Sequence, residues 1–112
     1  MLNVRWLLNL MSLEVFWESE RGEILERCPS WFNPWKYMDH LDEFQGTCCL
    51  RFIDEYGDTT FNQYQLPVLV EELESIRAKS KDPEAKESLE AIIAFVRKCH
   101  DHVHTYVKFV GD

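Results

Sequence analysis

The chain is expected to adopt an α+β fold, a mainly antiparallel sheet of about five strands with a helical hairpin and a short helix packed against it. Three observations predict this. Apolar and polar residues alternate with period two near both ends of the chain, the mark of half-buried strands. Two stretches between residues 66 and 100 repeat at helical spacing instead. The strand signals are grouped rather than interleaved one for one with helices, as when helices cover one face of an antiparallel sheet.

Each element follows from its residues. Leu13, Val15 and Trp17 alternate with Glu14, Phe16 and Glu18, Ser19-Glu20-Arg21-Gly22 supplies a polar turn, and residues 23–28 return, so the first pair is a hairpin. Asn33 before Pro34 is a helix start, a capping side chain followed by a residue whose missing N–H is no loss there. Tyr37, Leu41 and Phe44 then fall at i, i+4 and i+7, predicting a short helix over 34–44. Thr47 to Asp54 (TCCLRFID) is apolar on both faces apart from Arg51 and reads as a central strand. Asp54-Glu55-Tyr56-Gly57-Asp58 is turn chemistry, with a short return strand over 59–61. Leu69, Leu73 and Ile76 set the buried stripe of a helix over 66–79, whose early Glu71, Glu72 and Glu74 and late Arg77 and Lys79 complement the helix dipole. Asp82-Pro83 repeats the cap-then-proline start, and Leu89, Ile92, Ile93, Val96 and Cys99 continue a second helix over 83–100. Val103, Thr105, Val107 and Phe109 alternate with His102, His104, Tyr106 and Lys108 in a closing strand.

The length of 112 residues is that of a single domain, 1–112. Residues 1–10 read either as an extension ahead of a start at Met11 or as a first strand with Val4, Trp6, Leu8 and Leu10 on one face. Asn3 and Asn9 interrupt that stretch and no small-residue cleavage site follows, which argues against a secretory signal. No apolar run approaches the roughly 20 residues that span a bilayer, so no membrane association is expected. Cys28, Cys48, Cys49 and Cys99 include no CxxC pair, and free thiols in a reducing cytoplasm fit their spacing.

Twenty Asp and Glu against twelve Lys and Arg give a net charge of -8. Nucleic-acid binding neutralises phosphates with clustered cations, so this balance excludes it and favours a basic protein partner. Trp31, Phe32, Trp35 and Tyr37, with Asp39, Asp42 and Glu43 beside them, form an aromatic and acidic stretch suited to recognising a basic surface. The alternative is that these rings seal one end of a small core. A second acidic group is Asp54, Glu55 and Asp58, which turn chemistry explains equally. His102 and His104 are expected on one face of the last strand, where with His40 or Cys99 they could share a metal; within the His100–His104 cluster this is the runner-up chemistry, set against a solvated strand face. Cys48 and Cys49 lie in an apolar setting that raises a thiol pKa, the reverse of what a nucleophile needs. The sequence contains no GxGxxG, GxxxxGK[ST], GxSxG or HExxH, and no cofactor is expected.

The stretch from Cys49 to Asn62 (CLRFIDEYGDTTFN), with Gln65, Leu66 and Pro67, resembles a family of small, uncharacterised bacterial proteins. Its members look similar in having two intervening helices and an ending like Lys108-Phe109-Val110-Gly111-Asp112, so the resemblance covers roughly residues 48–112. It implies a shared fold and brings no catalytic residue. In size and acidity the chain is also similar to immunity proteins of interbacterial toxin systems. The expectation is therefore a non-enzymatic, cytoplasmic immunity protein that occludes a basic toxin, with a small metal-binding protein or metal-dependent enzyme as one alternative. The other is a structural or regulatory subunit that forms a homodimer through the aromatic patch.

Overall fold

Strand, strand, strand, helix, helix, strand is the order along the chain: β1 (Glu14–Ser19), β2 (Ile24–Arg27), β3 (Asp58–Phe61), α1 (Leu66–Lys79), α2 (Pro83–His100) and β4 (Thr105–Val110). The structure, a computed structural model, describes residues 12–34 and 46–111. The stretch 1–10 and all but the first residue of the helix expected over 34–44 lie outside the described residues.

Among the described residues the sheet has four strands in the order β2-β1-β4-β3, with every neighbouring pair antiparallel. The α+β expectation holds, with four strands in place of about five. The element that fails is Thr47–Asp54, where a 3-10 turn over Leu50–Phe52 replaces the expected central strand. Only Cys49 and Leu50 of its apolar run are buried, and Phe52 faces solvent.

The first hairpin forms as the alternation requires. Ser19 Oγ accepts from the N–H groups of Arg21 and Glu23, and Gly22 takes φ +82, a left-handed conformation that costs glycine nothing. Phe16 then faces Arg27 and Trp17 faces Glu26, but Glu18 faces Ile24, so Leu25 is an extra residue bulged out of β2. A bulge on an edge strand disturbs the row of free backbone groups that would otherwise pair with another chain.

The second helix starts on a side-chain cap, and the first is preceded by a side-chain-braced turn. Asp82 accepts from the Glu84 N–H at 3.1 Å, as the Asp-Pro signal predicts. One turn ahead of α1, Asn62 and Gln65 exchange bonds: Asn62 N–H donates to Gln65 Oε1 at 2.9 Å and Gln65 N–H to Asn62 Oδ1 at 3.1 Å. This is the geometry of a capping box with amides in both roles.

The core lies between the helices and one face of the sheet. Val15, Phe61, Val107 and Phe109 supply the sheet side, and Leu69, Leu73, Ile76, Leu89, Ile92 and Val96 the helix side. Phe109 meets Phe32 and Phe61 edge-on, with ring centroids 5.3 and 5.8 Å apart, the arrangement that aromatic quadrupoles favour. Phe32 is held there by a bridge in which it and Leu13 exchange backbone hydrogen bonds of 2.7 and 2.8 Å. No helix among the described residues is long and apolar enough to cross a membrane.

Gly111 closes β4 against the turn that precedes β3. Its N–H donates to the Gly57 carbonyl at 2.8 Å, and a Cβ added to it would lie 2.2 Å from the Glu55 carbonyl oxygen. That oxygen belongs to backbone and cannot swing away. Gly111→Ala is therefore expected to lower unfolding free energy in urea by about 1–3 kcal/mol. Gly46→Ala, which meets nothing within 4 Å, should stay within about 0.5 kcal/mol of the parent chain.

Candidate binding surface

The segment read as a strand is shaped instead by one carboxylate. Glu72 on α1 accepts from the N–H groups of Cys48, Cys49 and Leu50, the last two at 3.1 Å. Successive N–H groups of a strand point to opposite sides, so three in a row can reach one carboxylate only when the backbone curls into an anion-binding nest. Thr47 Oγ1 continues the curl by accepting from the Arg51 N–H at 2.9 Å. Glu72 thus binds a neighbouring segment rather than adding to the charge of its own helix start, where the first turn holds no acidic residue.

The sheet face turned away from the helices carries charges in alternation. Lys108 on β4 lies between Glu18 on β1 and Asp58 on β3, with 3.4 Å to each carboxylate. Desolvation pulls the Lys108 ammonium down, but the two carboxylates together outweigh it and hold its pKa above the ordinary value. Arg27 and Glu14 pair at 3.4 Å on the same face. Asp58, expected to serve a basic partner, is therefore partly neutralised within the fold. Asp54 is a turn residue, its Oδ1 accepting from the Tyr56 N–H at 2.9 Å, and its exposed side chain lies in the loop that leads to Asp58. Glu55 is half-buried beside it.

The aromatic stretch divides. Phe32 is a core residue, 1% exposed, and not a surface anchor. Trp31 is 43% exposed and lies under the Arg27 guanidinium, 5.5 Å from the ring centroid. Trp35, Tyr37, Asp39, Asp42 and Glu43 lie outside the described residues.

His102 and His104 do not share a strand face. Both belong to the turn between α2 and β4, because β4 begins only at Thr105. His104 takes φ 61, and Thr105 Oγ1 donates to the His102 carbonyl at 2.8 Å. The His102 ring packs against Trp17 at a tilt of 55° with centroids 4.8 Å apart, while the His104 ring lies 3.6 Å from Glu20. The two imidazoles are committed to different neighbours. Among the described residues no three His, Cys, Asp or Glu side chains gather as metal ligands, and His40 lies outside them.

Two open cavities flank this turn. One, of about 410 Å³, is bounded by Asn62, Gln63 and Tyr64 ahead of α1 and by Val103 to Tyr106. The other, of about 420 Å³, lies between Leu66, Pro67 and Val70 of α1 and Arg97, His100 and Asp101 at the end of α2. Neither was legible in the sequence, since each joins segments some thirty to forty residues apart. The exposed Tyr64 was the one local signal, an aromatic residue in a turn with no apolar periodicity to explain it.

The thiols are reduced, with Cys28, Cys49 and Cys99 buried and Cys48 exposed. Burial, followed by the nearby Glu72 charge, pushes the Cys49 thiol up to about 11, and its Sγ donates to the Gln65 carbonyl. Burial likewise pushes Cys99 up to about 12.

No family model matches the chain, and no match to it is found among curated proteins or solved structures.

Removing the Glu72 carboxylate leaves three donors to be satisfied by water. Glu72→Ala is expected to cost about 2 kcal/mol of stability and to speed alkylation of Cys49 at neutral pH by an order of magnitude or more. Unchanged labelling of Cys49 would show that the segment is held by something else. The raised thiols give a second expectation. Folding favours their protonated forms, so their contribution is intact below the unfolded value of 9.0 and is lost as pH rises through about 11 and 12. Urea midpoints should fall between pH 9 and 12, and Cys99→Ala, although less stable throughout, should show the shallower slope.

Proposed function

We propose that the protein is a non-enzymatic binding protein whose partner is a basic protein domain, most concretely an interbacterial toxin that it neutralises in the cytoplasm as an immunity protein. The observation that carries this reading is the surplus of carboxylates, twenty against twelve cations, which the fold offsets only locally. Lys108 engages Glu18 and Asp58, and Arg27 engages Glu14, yet Glu20, Glu23 and Asp54 keep their side chains in solvent. An enzyme that acts on nucleic acid must present cationic surface, and an inhibitor rich in carboxylate meets it with steered association and specific pairing. A size and acidity similar to those of immunity proteins support the same reading.

Co-expression with a basic toxin domain encoded beside its gene is the test, and growth is expected to be restored. The purified pair should associate with a rate constant that falls about tenfold or more between low salt and 0.5 M salt, as long-range steering requires. Unrelieved toxicity together with no complex by size-exclusion chromatography would overturn the reading.

A further inference from the structure

The corner of the molecule between the turn ahead of α1 and the α2–β4 turn combines features that no structural role accounts for. Tyr64 is 80% exposed and Val103 is 66% exposed, and both line the 410 Å³ cavity together with Tyr106. Volumes of about 300–1,000 Å³ are those of ordinary side-chain and small-ligand sites. A tyrosine and a valine left in water contribute nothing to the core. The backbone that carries Tyr64 is nevertheless held: its N–H donates to Asn62 Oδ1 at 3.0 Å inside the reciprocal Asn62–Gln65 turn. On the opposite wall the backbone is pinned by the Thr105 hydroxyl on the His102 carbonyl. An exposed tyrosine on a held backbone has only two side-chain torsions to lose when a partner seats on it, which suits an interface anchor.

The electrostatics of the cavity select the sign of its occupant. Among the described residues no Lys or Arg lines it, and the His104 ring on its wall lies 3.6 Å from the Glu20 carboxylate, whose side chain is 60% exposed. The chain as a whole carries -8. An anion would find no fixed cation there, whereas a cation would find tyrosine faces and a carboxylate. Between the two cationic side chains, the guanidinium is planar and weakly hydrated and stacks on aromatic rings, while the ammonium is compact and strongly hydrated. The methylene stem of an arginine also matches the apolar surface of Val103.

We propose that this cavity receives an arginine side chain of the basic protein partner, stacked on Tyr64 and Tyr106, with the Glu20 carboxylate beside His104 as the nearby countercharge. The proposal rests on the binding function put forward above and places its central contact at this corner, away from the Trp31–Glu43 and Asp54–Asp58 segments.

The test is a titration of the full ¹⁵N-labelled chain with a nonapeptide of alternating arginine and glycine, followed by amide chemical shifts. Shifts are expected in residues 62–65 and 103–106. The isosteric citrulline peptide should bind at least tenfold more weakly. Tyr64→Ala should weaken the arginine peptide about fivefold and Glu20→Gln about threefold, with thermal midpoints unchanged since both side chains face solvent. Glu87→Gln removes the same charge from the exposed side of α2 and should leave affinity unchanged. Equal binding of the citrulline peptide, shifts centred on residues 54–58, or an unaltered affinity in Tyr64→Ala would overturn the assignment. The toxin pair separates this assignment from the broader function. A basic toxin that binds Tyr64→Ala as tightly as the parent chain overturns the site and leaves the function standing. An arginine peptide that seats at Tyr64 while no basic protein is neutralised leaves the site and overturns the function.

Discussion

β4 occupies the middle of the sheet, and the rest of the molecule is arranged by that position. It pairs with β1 over six residues and with β3 over four, so the two strands furthest apart in sequence are neighbours at the centre. Closing the intervening chain costs loop entropy before any contact rewards it, which places this pairing among the late and slow events of folding. What repays the closure is concentrated on the same strand. Val107 and Phe109 face the helices with no exposed surface, Phe109 makes edge contacts with Phe32 and Phe61, and Lys108 joins three strands on the opposite face. The ends of β4 fix two corners of the molecule, Tyr106 at one cavity and Gly111 against the Asp54–Gly57 turn.

Where structure follows local pattern, the sequence announced it. The first hairpin, both long helices, the Asp82 cap and the last strand each carry their signal within a few residues, by period or by cap. Thr47–Asp54 does not, because its conformation is decided by Glu72 some two dozen residues later. Propensity and two-sided apolarity favour a strand there, and three backbone donors converging on one carboxylate override them. The cost to the strand reading is visible in Phe52, whose exposed ring a central strand would have buried and which lies under the Arg51 guanidinium at 4.7 Å. The histidine cluster fails for a related reason. Period-two alternation extends back through Val103, but the left-handed turn at His104 ends the strand at Thr105, and the imidazoles part toward Trp17 and Glu20.

Composition gives the net charge and is a poor guide to where that charge is free. The net charge of -8 stands, yet the carboxylates that sequence singled out are partly employed by the fold: Asp58 on Lys108, Asp54 on its own turn, Glu72 on the nest. Phe32, counted with the surface aromatics, belongs to the core that the competing interpretation assigned to it. A charge that already satisfies an internal donor is a weaker lure for a partner, since binding must then compete with an existing bond. The carboxylates of greatest use to a partner are those the fold leaves in solvent near an apolar contact; Glu20 is exposed close to the Tyr64 cavity, and a partner there competes only with its contact to the His104 ring.

That pairing of charge with a rigid aromatic wall also sets how affinity and rate should divide. Diffuse acidity over the surface accelerates encounter with any cationic protein and is screened within about 10 Å at ordinary ionic strength. It cannot by itself distinguish one basic partner from another. Discrimination requires a place where geometry matters, and a cavity whose walls are held by the Asn62–Gln65 exchange and the Thr105–His102 bond provides one. Surface acidity would then govern how often the partner arrives, and the corner around Tyr64 would govern how long it stays, because departure requires unstacking a desolvated side chain while arrival does not.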